Sequence, residues 1–345
     1  MSVHGLPLCG RAALSAAWAA VVALAATGCT EERALSPRPP AERTVVSLVP
    51  SATEILFALG AGDRVVGRSI YCRYPPRALM LPAYGSYTDV RVEELLAVHP
   101  DLVIFNTSKA DSYGRLTAAG IRCIAPPTDT VQQVYETIEV LGAEVGAADR
   151  ASALADGLRE RLEAVRRRTA SLPRVRTLMV FPSVLGEGNQ VSVIGRGTFV
   201  SELLDAAGGE NVVEAEGYPR VHFEKVSQWP IEAILISAPG DIAPGLTDEQ
   251  YREPWMRWPT IPAVASGRVV VLREAYLTIP GPRMADAAEL LERTLHGDAA
   301  AGTSTSWGSS GKMPLPPMGR MPLPRYGPPT SVCPAAAGDA GGGAL

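Results

Sequence analysis

Between Ala147 and Arg168 apolar residues return at every third or fourth position, at Leu154, Leu158, Leu162 and Val165, with Arg and Glu filling the intervals. That spacing predicts one amphipathic helix of about 20 residues, ~30 Å long at 1.5 Å per residue, ended by Pro173. The heptads are too few for a coiled coil. A stiff rod in mid-chain needs something to carry at each end, and the sequence on each side supplies it.

Upstream, Val45-Val46-Ser47-Leu48-Val49 is a β-branched run stopped by Pro50, which predicts a buried strand. Ser51-Ala52-Thr53-Glu54 has capping-box spacing, with Ser51 as the cap and Glu54 reaching back to it. Ile55, Leu56 and Leu59 give that helix an apolar face and Gly60 ends it; Val65-Val66-Gly67 returns to strand. A helix over 93–98, closed by His99-Pro100, precedes a strand over 101–105, and a helix over 113–119 precedes a strand over 123–125. Downstream the theme restarts, with strands over 175–181, 191–194 and 234–236 and a helix over 198–207. Strands alternating with helices over short loops imply parallel sheets covered on both faces. The halves also echo each other. The Glu54-Ile-Leu-Phe-Ala-Leu-Gly60 segment resembles Glu202-Leu-Leu-Asp-Ala-Ala-Gly208, and Glu94 precedes Pro100 by the same interval as Glu224 precedes Pro230. The fold class is therefore α/β: two lobes with mainly parallel sheets, 44–146 and 171–298, joined by one long rigid helix, 147–170.

The ends lie outside that fold. A weakly cationic start and an apolar run from Ala12 to Ala26 match a signal peptide, because the run is shorter than a helix that spans a bilayer. Small residues before Cys29 resemble a bacterial lipobox, which makes 1–28 the removed peptide, Cys29 the acylated residue and 29–43 a Pro-, Glu- and Arg-containing tether. Segment 299–345 shifts to Pro, Gly, Ala and Ser, with Met313-Pro-Leu-Pro-Pro317 and Met321-Pro-Leu-Pro324, and reads as a disordered tail. A formal net charge of −4 argues against a nucleic-acid partner. Four His and five Cys, none at ligand spacing, leave no metal site. Gly-x-Ser-x-Gly, a phosphate loop and His-Glu-x-x-His are all missing from the sequence, and an enzyme is not expected. In an exported chain Cys72 and Cys123 have the option of pairing, and spacing leaves the matter open.

The segment Thr44 to Gly60 resembles the opening of ABC-transporter substrate-binding proteins of the iron-siderophore, haem and cobalamin class. Further similarities follow in order: Asp63-Arg-Val-Val-Gly67, Tyr71-Cys-Arg-Tyr-Pro-Pro76, His99-Pro-Asp-Leu-Val-Ile104, Gly195-Arg-Gly-Thr-Phe199, Gly208-Gly-Glu-Asn-Val212, Pro262-Ala-Val264, Gly267-Arg-Val269 and Pro280-Gly-Pro-Arg283. The resemblance covers about Thr44 to His296. It implies two lobes with the ligand held in the cleft between them, and delivery to an inner-membrane permease and its ATPase by a monomer tethered to the membrane through its lipid.

Within the class, the Tyr71–Pro76 segment most resembles the vitamin B12 binders, and Tyr87 falls where those proteins place a cleft Trp. Tyr71, Tyr74, Tyr87, Tyr276 and Arg273 are thereby the implied ligand-binding residues, and the loop from Phe181 to Gln190, with Gly186 and Gly188, lines the cleft. Tyr84 and Trp255 are expected to pack instead. Arg283, at a helix start, has two readings, an anion contact and the more common structural salt bridge. Aromatic rings suit a corrin, a broad and mostly apolar disc, because they give large contact area at low entropy cost. The transported ligand is then cobalamin or another bulky metal chelate, with no resident cofactor. Haem stays open through Tyr71, Tyr87 or His222 as an axial ligand, and a ferric siderophore through Arg73, Arg196 and Arg273. Glu93 and Glu224, one on each lobe, match the exposed acids that dock on permease arginines in the family.

Overall fold

The computed structural model describes residues 38–86, 89–106, 110–181, 189–239 and 245–297. The signal peptide, Cys29, Tyr87, the 182–188 stretch with Gly186 and Gly188, and the Pro-rich tail lie outside the described residues.

In chain order, β1 (Val45–Ser47), α1 (Pro50–Ala58), β2 (Val65–Arg68), α2 (Val92–Val98), β3 (Leu102–Ile104), α3 (Ala110–Ala118) and β4 (Arg122–Ile124) form the first lobe. Its strands make a parallel sheet in the order β2-β1-β3-β4. Next come α4 (Val131–Glu144) and α5 (Ala148–Thr169), the predicted rod, 22 residues long. The second lobe contains β5 (Val175–Val180), β6 (Gln190–Ser192), α6 (Phe199–Ala206), β7 (Gly209–Asn211), β8 (Arg220–His222) and α7 (Phe223–Val226). It continues with β9 (Ala233–Ser237), α8 (Asp248–Met256), α9 (Pro262–Ala265), β10 (Val269–Leu272) and α10 (Met284–His296). A second parallel sheet runs β10-β9-β5-β7, and β6 pairs with β8 as an antiparallel ribbon.

Strand alternation explains how two faces of one sheet enter different cores. Val45, Leu102 and Ile104 join a cluster that continues through Leu158, Leu162 and Val165 of α5 to Leu203, Leu235 and Leu291 of the second lobe. Val46 and Val103 point the other way, into a separate cluster with Leu95 and Leu116. A third cluster, on the second lobe, holds Leu178, Ile234, Phe223 and Trp255. Burying both faces of each sheet is what made the strand sequences read as almost unbroken apolar runs. The echo between halves has a backbone counterpart: Gly60 and Gly208 both adopt positive φ, +70° and +78°, where a helix ends and a side chain is disfavoured.

One local expectation is corrected and one open question is answered. α1 begins two residues earlier than the capping-box spacing implied, with Pro50 in its first turn and Val49 rather than Ser51 at the N-cap, and no side chain caps it. Proline is pre-organised for that position, and its missing N–H is one the first helical turn leaves without an intrahelical partner anyway. Ser51 is thus inside the helix, and Glu54 is released for a different partner. Cys72 and Cys123 are both buried and free, so they do not form a disulfide. Trp255 packs on Phe223 at 5.0 Å between ring centroids, and Tyr84 is buried in the first-lobe core, as expected of both.

Candidate functional site

In open parallel sheets ligands meet the chain beyond the carboxyl ends of the strands. At that edge of the first lobe, β2 runs into Ser69-Ile70-Tyr71-Cys72-Arg73-Tyr74. Cys72 is the peg of this loop. Its thiol lies 3.2 Å from Ser69 Oγ and 3.5 Å from the carbonyl of Ser47, the last residue of β1, and burial pushes its pKa up. The Ser69 hydroxyl also accepts from the Tyr71 backbone N–H at 3.3 Å. With Cys72 drawn inward, Ile70, Tyr71 and Tyr74 stand outward at 43, 41 and 42% exposure. Apolar and aromatic side chains left this open on a polar-anchored loop mark a surface meant to be covered.

The matching edge of the second lobe follows β10. A 3-10 turn, Ala275–Thr278, buries Leu277 and leaves Tyr276 half-buried. Burial, reinforced by the nearby carboxylates of Glu274 and Asp286, pushes the Tyr276 phenol up to about 12. It therefore stays protonated and able to donate a hydrogen bond throughout the physiological range.

Arg283 joins the two edges. Its Nε and Nη2 donate to Glu54 Oε2 and Oε1 at 2.9 and 2.5 Å, a fork-on-fork pair linking α10 of one lobe to α1 of the other. The same guanidinium lies 3.9 Å from the centroid of the Tyr74 ring and 5.2 Å from that of Tyr276. Glu54 is only 4% exposed. Burial holds its carboxyl above the usual range, and the hydrogen bond from Arg283 pulls it part of the way back. Of the two readings of Arg283, the structural salt bridge is the one observed.

The structure thus brings Tyr74 and Tyr276 to one guanidinium, with Tyr71 on the same loop. Arg273 is engaged elsewhere. It donates to Asp248 Oδ1 through Nε and Nη2 at 2.9 and 2.7 Å and to the Leu246 carbonyl at 2.9 Å, and stacks 4.8 Å from the Tyr251 ring centroid. That set of partners ties Arg273 to the start of α8. Arg196 lines a cavity of about 380 Å³ beside Arg166, Arg174 and Asp205, on α5, α6 and β7 rather than with the tyrosines. The arginines considered for a siderophore are therefore dispersed. His222 contacts Gln190 across the β6–β8 ribbon at 2.8 Å. Among the described residues no group of three or more His, Cys, Asp or Glu is arranged to hold a metal ion, and no helix is long and apolar enough to cross a membrane.

Glu93 and Glu224 are both in the first turn of a helix, α2 and α7, where the dipole favours an acid. Glu93 pairs with Arg115 at 2.7 Å yet keeps 75% of its side chain exposed, and the Arg115 hydrogen bond holds its pKa down. Glu224 is exposed and accepts a hydrogen bond from Asn189.

Glu54 is the functional-site residue that sequence reasoning missed, since capping-box spacing assigned its carboxylate to α1. The available signal was an acid beside Ile55 and Leu56 in an otherwise apolar turn, which demands a cationic partner from elsewhere.

Comparison with known proteins follows the same lines. The family model described as "Periplasmic binding protein" matches residues 45–276. The vitamin B12-binding protein of Vibrio cholerae is 28% identical over 253 residues, covering 72% of this chain and 87% of that protein. An uncharacterized ABC transporter substrate-binding lipoprotein of Bacillus subtilis is 28% identical over 262 residues, covering 74% and 81%. Among solved structures, the periplasmic vitamin B12-binding protein of Vibrio cholerae superposes with a TM-score of 0.62 at 28% identity, over 77% of this chain and all (100%) of that one. A periplasmic haem-binding protein in complex with two haems gives 0.64 at 25% identity, over 75% and 99%.

Proposed function

The chain belongs to the periplasmic binding protein family, and from that premise we propose that it is the substrate-binding component of an ABC importer, capturing cobalamin or a related corrinoid between its lobes and handing it to an inner-membrane permease. The observation that carries the ligand class is the meeting of Tyr74 and Tyr276, from opposite lobes, at Arg283, with Tyr71 outward beside them. Rings on two walls match the faces of a broad apolar disc, and phenol hydroxyls match its amide fringe. Relatives named as vitamin B12-binding proteins support the same choice. Tyr87 joins the wall by resemblance.

Haem is the second reading. An outward phenol at Tyr71 can ligate iron, and the haem-binding protein of similar fold favours it. A ferric siderophore is weaker, because Arg196 and Arg273 have other surroundings.

The deciding experiment mixes the purified protein with cyanocobalamin, hemin and a ferric siderophore in turn, removes unbound compound by gel filtration and records the spectrum. A co-eluting corrin band supports the proposal; a Soret or a charge-transfer band alone replaces it with one of the other two. With the ligand in hand, Tyr71→Ala and Tyr276→Ala should each weaken binding by roughly 1–3 kcal/mol in calorimetry, the cost of a lost aromatic contact. Unchanged affinity in the double variant moves the site elsewhere.

The same reading makes the protein a periplasmic lipoprotein held by acyl chains on Cys29, since the leader's apolar run is too short to span a bilayer. Cys29→Ala should appear in the soluble periplasmic fraction while the parent stays with membranes. Membrane retention of the variant defeats the anchor assignment. Docking through Glu93 and Glu224 completes the proposal.

A further inference from the structure

Arg283 uses its guanidinium in two directions. The edge is spent on Glu54, through two hydrogen bonds in the guanidinium plane. The faces remain, and Tyr74 lies 3.9 Å away. Among the described residues, Arg283 alone has two tyrosine rings at its guanidinium, one from each lobe. Glu54 is buried in α1, so it fixes the plane of the guanidinium, and that plane fixes the ring set against it. The backbone beside it, at Gly281, packs close to Ser51 of α1. Tyr74, by contrast, stands on an open loop at 42% exposure. Tyr276 is carried by a 3-10 turn held down by Leu277. An aromatic wall built from two lobes loses binding free energy if its rings must be ordered when ligand arrives.

We infer that Arg283, locked by Glu54, is a positioning residue of the ligand site: it acts through the rings of Tyr74 and Tyr276, presetting the two walls of the cleft, rather than by touching ligand. The inference rests on the aromatic-wall reading above and goes beyond it in assigning the ion pair a binding role. Planarity is essential to that role. A lysine at 283 keeps the charge for Glu54 but has no face to stack on a ring.

The test uses the intact chain and two readouts. In the ligand-free protein, tetranitromethane nitration followed by peptide mass spectrometry should run several-fold faster at Tyr74 in Arg283→Lys than in the parent, with Tyr71 unchanged. In calorimetry with cyanocobalamin, Arg283→Lys should bind about tenfold more weakly, and that penalty should shrink in a Tyr74→Leu background, where only the Tyr276 ring remains at the guanidinium. Unchanged Tyr74 nitration, or an undiminished penalty with Tyr74 already gone, reduces Arg283 to a structural salt bridge and overturns the proposal. If Arg283→Lys does not fold, the paired variant Glu54→Gln with Arg283→Gln leaves no lone buried ion and lacks the guanidinium stack, and is held to the same outcomes. If the parent ignores cyanocobalamin, the choice of corrinoid has failed, and the same Arg283→Lys and Tyr74→Leu affinity comparison is read with hemin, an undiminished penalty there overturning the proposal.

Discussion

Changing both Glu93 and Glu224 to lysine will reduce ligand uptake by roughly an order of magnitude or more in a reconstituted transporter, while affinity for the ligand stays within about twofold. The two acids are exposed, sit in helix first turns on separate lobes, and have Arg115 and Asn189 as their recorded partners rather than any of the tyrosines. Surface charges act over about 8–10 Å before salt screens them, so a cleft they do not line should hardly notice the reversal. A permease surface that presents arginines will notice it, because like charges then face each other at the moment of docking. Because the hydrogen bond from Arg115 holds the Glu93 pKa down, the parent keeps the Glu93 charge into mildly acidic conditions. Paired measurement of uptake rate and ligand affinity checks the expectation. Normal uptake by the double variant returns both residues to the role of dipole-complementing acids, and lost affinity puts them in the ligand site.

Arg283→Met will be the costliest single substitution in the second lobe's contact with the first, about 3–5 kcal/mol at neutral pH, because it strands the Glu54 carboxylate in a dry site. The pH dependence follows from the direction of the Glu54 shift. Burial raises its native pKa above the unfolded value, so stability linked to this group is fully present below the unfolded pKa and is lost as pH rises through the native one. In the parent, Arg283 limits that loss by stabilising the ionised form. Without Arg283 the native pKa rises further, and the variant should lose more stability between mildly acidic and neutral pH than the parent does. Urea unfolding at several pH values measures the difference. A pH-independent deficit assigns the cost to lost packing alone, and Glu54→Leu with Arg283→Met should recover most of it by removing the buried charge.

The architecture was legible because it is written in local patterns. A 3.6-residue period over 22 residues has few other solutions than the α5 rod, and strands buried on both faces show as largely apolar, β-branched-rich runs such as Val45–Val49 and Val269–Leu272. Elements without such a pattern were silent. β7 is Gly-Glu-Asn and β8 is Arg-Val-His, short strands whose residues say nothing about pairing, and only their neighbours in the fold make them strands. The site divides in the same way. Tyr71, Tyr74 and Tyr276 stood out through a segment that resembles known binders, whereas the carboxylate that organises two of them was assigned to a helix cap. Glu54 and Arg283 are 229 residues apart, and no spacing rule reaches across that distance. Arg273 shows the converse limit, since sequence does not reveal that its N–H groups are engaged by Asp248 and the Leu246 carbonyl.

The core that passes beneath α5 has no seam. Leu56 and Ile104 belong to the same packed cluster as Leu203 and Leu235, with Leu158 and Leu162 between them. Swinging one lobe against the other would shear dry, interlocked side chains, which resist continuous deformation. On the proposed reading, the spacing of the two tyrosine-bearing edges is then set by the folded chain before any ligand arrives, as the jaws of a fixed caliper are. A disc of the right thickness touches both jaws; a thinner compound meets one jaw and leaves the other wet. Size discrimination of this kind costs no moving part.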